Sequence, residues 1–167
     1  MIAGMNTPSD AFAKVVSDLV GMKLSHIWRG ERTALFLEFG RLSERPRKDG
    51  STGNPLGEIS VGLEFEWRIE VDRRLACGSS GDQKLWAEVF EGLLGKRASQ
   101  VELFGDVPEL RVVMDAQERL LTFSLDEEDG PQWALTDNRS HPPTWIYWEN
   151  GELRCDDGRR PKVDDVR

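Results

Sequence analysis

The sequence predicts an α+β fold: a largely antiparallel sheet from two duplicated helix-plus-three-strand units, both helices on one face, and a C-terminal β-hairpin. Three observations lead there. Residues 57–75, GEISVGLEFEWRIEVDRRL, place Ile59, Val61, Leu63, Phe65, Trp67, Ile69 and Val71 on every odd position, with glycine or polar residues between them. Strand side chains alternate faces with period two, so this reads as one long strand with a buried face and a polar face. It exceeds the usual ~5–6 residues and is expected to bend, at Gly62. The second observation is a repeat. Residues 11–27 align without gaps on 85–101, and Ala13, Val15, Leu19, Gly21 and Ser25 meet identical residues at 87, 89, 93, 95 and 99. Shared amphipathicity accounts for the apolar matches but not for the paired glycine and serine, so the chain reads as an internal duplication of 8–75 and 82–136. Third, Asn150-Gly151 lies between the apolar arms Thr144–Trp148 and Leu153–Cys155, the strongest short hairpin signal.

In order, Thr7-Pro8-Ser9-Asp10 starts a helix over 8–20: Thr7 caps, Pro8 suits the first turn, and Asp10 sits at the positive end of the dipole. Phe12, Val15, Val16 and Leu19 form its apolar stripe and Gly21 ends it. Strands over 22–29 and 32–40 follow, joined at the tight Arg29–Arg32 segment, then the long strand. Ser80 to Gln83 has the form of a capping box and starts a second helix over 82–94, with Trp86, Val89, Phe90 and Leu93 as its stripe. Strands are expected over 97–104, 109–115, 119–125 and 132–136, the last two separated by the acidic turn 126–131. One domain over 1–155 accommodates all of this. Residues 41–56 and the tail 156–167, rich in Pro, Gly and charge without periodicity, read as mobile.

Composition narrows the function. Charged residues are 31% and hydrophobic residues 38%, as in a soluble globular protein, and the net charge is -8. Gripping phosphate backbones needs a positive surface, so no nucleic-acid partner is expected. The basic groups Arg41, Arg45, Arg47, Lys48 and Arg159, Arg160, Lys162 read as solvated loop charge, with an anion contact as the alternative. No apolar run approaches a membrane span and no signal-peptide layout opens the chain, so a cytoplasmic location is expected. Cys77 and Cys155, far apart, read as reduced thiols.

The chemistry-bearing motifs are missing: no Gly-rich phosphate loop, nucleophile elbow or metal-binding His pair is present. Neither cofactor nor metal is expected, and His26 aligns with Gln100 in the repeat. Two constellations remain. Glu64, Glu66, Arg68 and Glu70 share one face of the long strand at about 6–7 Å spacing. They are either a solvated face or carboxylates arranged around an arginine for acid–base work. Trp145 and Tyr147 point one way from the hairpin, and Ile146 and Trp148 the other, so the hairpin is apolar on both faces. With Glu149 beside them, these aromatics are core or a surface for a partner.

Several fragments are similar to a group of small uncharacterised bacterial proteins: Leu19-Val20-Gly21, Trp28-Arg29-Gly30, Leu35 to Gly40, Trp67 to Glu70, Pro108-Glu109-Leu110 and Trp133-Ala134-Leu135. The resemblance implies a bacterial or phage-type source and brings no activity or site residue with it. The expected function is a non-catalytic protein-binding module of immunity or inhibitor type, taking a protein partner or a second copy of itself. One alternative is a small-molecule binder or enzyme in a polar cleft between the repeats around Arg68. The other is an acidic mimic of nucleic acid.

Overall fold

The computed structural model describes residues 7–126 and 130–157. Helix α1 spans Pro8–Leu19. Its first turn is closed reciprocally: Thr7 Oγ1 accepts from the Asp10 N–H at 3.2 Å, and the Asp10 carboxylate accepts from the Thr7 N–H at 3.0 Å. This satisfies two amides that a helix start otherwise leaves open. Strands β1 (Leu24–Arg29), β2 (Leu35–Phe39), β3 (Ile59–Leu63), β4 (Trp67–Val71) and β5 (Arg74–Gly78) follow. Then a 3-10 turn, Gln83–Leu85, leads into α2, Trp86–Leu93. The second half carries β6 (Ala98–Phe104), β7 (Glu109–Met114), β8 (Glu118–Thr122) and β9 (Trp133–Asp137), and ends in the hairpin β10 (Thr144–Glu149) and β11 (Glu152–Asp156).

These strands make two antiparallel sheets, β1-β2-β3-β9-β10-β11 and β5-β4-β8-β7-β6, where the sequence pointed to one. The expected long strand is divided: β3 lies in the first sheet, β4 in the second, and residues 64–66 cross between them. The alternation survives the break, since Ile59, Val61, Leu63, Trp67 and Ile69 are all buried. Period two reports which face is inward, not which sheet a strand joins. Gly62 does not make the bend. A Cβ there would lie 3.2 Å from the Phe36 ring, so glycine makes room for that ring. The hairpin into β5 was also hidden, because its turn uses Asp72 and Arg73 at φ +48 and +63, without the glycine or asparagine that usually marks such turns.

A second crossing, 123–132, returns the chain from β8 to β9 in the first sheet. Residues 127–129 of the expected acidic turn lie outside the described residues. The two crossings hold each other: the Glu64 N–H donates to Gln132 O and the Phe123 N–H to Glu66 O, both at 3.1 Å. Just past each crossing stands a fully buried tryptophan, Trp67 or Trp133. Their indoles donate to Thr33 O at 2.6 Å and Pro108 O at 3.2 Å. Each meets a helix: Phe12 of α1 lies edge-on to Trp133, while Trp86 and Phe90 of α2 lean on Trp67. There is thus no single sheet face for the helices to share: α1 packs on β9, β10 and β11 of the first sheet and β6 of the second, and α2 on β5 of the second. One continuous cluster of buried apolar side chains runs through both layers.

The halves also meet along their first strands. The Gly21 N–H donates to Ala98 O and the Gly95 N–H to Leu24 O, at 2.7 and 2.9 Å. The Leu24 N–H donates to Lys96 O and the Ala98 N–H to Met22 O, at 2.8 and 3.0 Å, around a bridge between Lys23 and Arg97.

Other expectations are corrected. Helix α2 has no Ser80–Gln83 box; Asp82 instead caps the 3-10 turn, accepting from the Lys84 N–H at 3.0 Å. Residues 41–56 form an irregular ribbon with bridges between Ser43 and Leu56 and between Pro46 and Thr52. Most of the tail, 158–167, with Arg159, Arg160 and Lys162, lies outside the described residues.

Arg139 ties the turn after β9 to α1. It donates to both Asp137 oxygens at 2.9 Å and to Asp18 at 2.6 Å. Those hydrogen bonds hold both carboxyls below the ordinary carboxylate range. A carboxyl depressed in the folded state contributes stability above its unfolded pKa and loses it as pH falls through the folded value. Arg139→Gln is therefore expected to lower Tm at neutral pH and to flatten the acid limb of the Tm–pH curve below about pH 4. An acid limb as steep as that of the unmodified chain would contradict this.

Candidate functional site

Cross-strand partners share a face, so the pairing registers define the outer surface of the six-stranded sheet. One row runs His26, Glu38, Ser60, Thr136, Trp145, Asp156, and the next runs Trp28, Phe36, Gly62, Ala134, Tyr147, Arg154. The opposite face carries Leu37, Val61, Leu135 and Ile146, all buried. Outward, Phe36 and Tyr147 flank the Gly62–Ala134 span, while Glu38 and Trp145 flank Ser60 and Thr136. Trp28 and Phe36 stack at 4.1 Å, nearly parallel, on one side. Trp145, 43% exposed, and half-buried Tyr147 stand on the other. Between them lie Ser60 and Gly62, both buried, and half-buried Ala134 and Thr136.

The structure thus separates the two aromatic pairs of the hairpin. Ile146 is fully buried and Trp148 packs against the core, while Trp145 and Tyr147 face outward. Trp148 and Glu149 also border a concavity of about 700 Å3, together with Glu109, Ser124, Leu125 and Gln132. Glu109 accepts from the Thr122 hydroxyl at 2.6 Å and the Ser124 N–H at 2.7 Å, so its carboxylate is engaged within the protein. Glu149 pairs with Arg154 at 3.3 Å.

The residues expected to form a polar face around Arg68 fall in two segments. Glu64 and Glu66 sit in the crossing segment, whereas Arg68 and Glu70 belong to β4 of the other sheet. Arg68 is exposed, pairs with Glu70 at 2.9 Å and lies over the Phe123 ring at 5.9 Å. Glu66 accepts from the hydroxyls of Ser79 and Ser80, and borders a smaller hollow of about 280 Å3 with Arg32 and Gln132. Glu64, half-buried, has its carboxyl pushed up by desolvation. Arg68 does not line that hollow, although the Phe123 N–H bond to Glu66 O extends the β4–β8 ladder back to Glu66. Arg29 lies over Trp86 at 4.5 Å, and the Arg41 N–H donates to Glu58 at 2.9 Å.

Sequence reasoning missed Glu38. It is fully buried, and no cation is paired with it among the described residues. Its carboxylate accepts from Trp28 Nε1 at 2.8 Å, the Gly57 N–H at 2.9 Å and the Ser60 hydroxyl. Asn138 extends the network, donating to Ser60 Oγ at 2.8 Å and Gly57 O at 3.0 Å. The signal was a single charge inside the run Leu35-Phe36-Leu37-Glu38-Phe39.

Among the described residues, no group of three or more His, Cys, Asp or Glu is placed to hold a metal ion. His26 Nε2 lies 3.3 Å from Asn54 Oδ1. Cys77 is buried, and desolvation pushes its thiol up to about 11, away from nucleophilic reactivity. No described helix is long and apolar enough to cross a membrane. Comparison with known protein families, with curated proteins and with solved structures finds no match.

Proposed function

We propose that the chain is a non-catalytic binding module of inhibitor or immunity type, and that it takes a protein partner on the outer face of the six-stranded sheet. The observation that carries this reading is the exposure of Trp145 beside Tyr147 over a floor of small side chains. An outward sheet face in water ordinarily carries polar groups, and a large aromatic there gains most by being covered. Net charge of -8 makes a partner with a basic surface the complementary one. A second copy of the chain is the other occupant to test. The alternatives, a small-molecule binder or enzyme around Arg68 and an acidic mimic of nucleic acid, have no comparable observation in their favour.

The test is the double variant Trp145→Ala/Tyr147→Ala. Truncating aromatic anchors at the centre of an interface commonly costs about 2 kcal/mol or more each. The variant is expected to lose at least one stoichiometric protein captured by the unmodified chain, or its self-association by light scattering. Its Tm is expected to stay close to that of the parent. Unchanged capture and unchanged self-association would sink the reading.

The architecture invites a finer proposal. We infer that the chain is a duplication in which each unit lends its last strands to the other's sheet and sets its helix on the inner side. Support comes from the reciprocal hydrogen bonds of Gly21 and Gly95 and of Leu24 and Ala98, and from matching bulges at Leu24/His26 and Ala98/Gln100. Trp67 and Trp133 likewise hold equivalent places after the two crossings.

A further inference from the structure

A second site lies at the other end of the same sheet face, about 19 Å from Tyr147 if four strand spacings are counted. Here the ribbon 41–56 folds beside β1. Its turn is held by the Arg47 N–H on Ser51 O and the Gly53 N–H on Arg45 O, both at 2.8 Å. Between ribbon and sheet is a hollow of about 370 Å3 lined by Trp28, Arg45, Arg47, Lys48 and Asn54. That volume falls within the range of small-ligand sites.

Three features make this hollow more than a patch of surface charge. The chain has 30 acidic residues against 22 basic ones, yet no ion pair among the described residues uses Arg45, Arg47 or Lys48. Two carboxylates adjoin these cations in the chain: Asp49 is turned to the Ser51 N–H and hydroxyl, at 2.9 and 2.6 Å, and Glu44, beside Arg45, enters no ion pair among the described residues. The aromatic wall is also fixed. Phe36 covers one face of the Trp28 indole and Glu38 holds its N–H, so the hollow meets the ring's remaining face or edge. Lastly, buried Glu38 binds both Trp28 and Gly57, the residue at which the ribbon rejoins the sheet. Gly57 is itself wedged in place, since a Cβ there would lie 2.4 Å from Phe39 O. One desolvated carboxylate thus sets the spacing between the wall and the cationic ribbon, as a preorganised site requires.

We propose that this hollow binds a small planar anion of the nucleotide type, its ring against Trp28 and its phosphate among Arg45, Arg47 and Lys48. The cations select against neutral sugars and apolar rings, and the indole selects for a flat group over a bare anion. A single nucleotide suits the site better than a nucleic-acid strand, because further phosphates would meet a chain of net charge -8.

Isothermal titration of the full chain with the four nucleoside monophosphates tests this, with the matching nucleosides, inorganic phosphate and a short single-stranded oligonucleotide as comparisons. At least one monophosphate is expected to bind, with its nucleoside and inorganic phosphate each weaker by roughly tenfold or more. Arg47→Ala/Lys48→Ala removes charge-assisted contacts and is expected to weaken binding by roughly 10–100-fold. Both side chains are exposed, so the variant should keep the parent Tm. Trp145→Ala should bind as the parent does, which separates this site from the protein-binding face. The proposal is overturned if no monophosphate binds below millimolar concentration, or if phosphate alone binds as well. Binding that ignores the Arg47/Lys48 change, or a strong preference for the oligonucleotide, overturns it too.

Discussion

Trp67→Ala is expected to destabilise the fold by about 3–5 kcal/mol, the range for removing a large aromatic from a packed core. The side chain is fully buried, leans on Trp86 and Phe90 of α2, and its indole N–H donates to Thr33 O at 2.6 Å. Truncation would open a cavity and leave the Thr33 carbonyl short of a donor, two losses that add. The neighbouring Glu66→Gln is expected to cost far less, because Glu66 is only half-buried and its partners are hydroxyls that an amide can still bind. Urea denaturation of both variants measures the contrast. Equal sensitivities would mean that the inward parity assigned to β4 is wrong.

The second large effect belongs to Glu38. Glu38→Ala should cost about 2–5 kcal/mol, because it strands the Trp28 indole N–H and the Gly57 N–H in a region closed to water. Glu38→Gln keeps one acceptor oxygen and should cost less than alanine. It should also disturb the ribbon, because its NH2 group would face a donor. Chemical denaturation ranks the three proteins. A Glu38→Ala variant within about 0.5 kcal/mol of the parent would show that the network is not buried as described.

Much of the fold could be read from the residues because burial writes a period into a strand. The parity of Ile59, Val61, Leu63, Trp67 and Ile69 was visible, as was the Asn150-Gly151 turn, whose residues lie at φ +52 and +78. The break at 64–66 was not, because both strands turn the same parity inward and the connector continues the alternation. The turn at Asp72 and Arg73 was silent for a different reason: Asp72 tolerates a left-handed backbone, but Arg73 stands where glycine usually completes such a turn. At the candidate surface, alternation paired Trp145 with Tyr147 but could not say which face of the hairpin was covered. That depends on what lies behind β10, a long-range fact supplied by the packing of Ile146 and Trp148. The ring stack of Trp28 on Phe36 and the burial of Glu38 depend on registers between strands, which local sequence does not encode.

The six tryptophans allow the central claim to be tested in one spectrum. The protein would be labelled with 5-fluorotryptophan and each 19F resonance assigned by single substitution. It would then be titrated with the protein captured by the parent chain or, if self-association is found, observed across a dilution series. The binding-face account predicts that the Trp145 resonance shifts on association while those of Trp67 and Trp133 stay in place. A Trp145 resonance that does not move while the partner saturates the chain would contradict it.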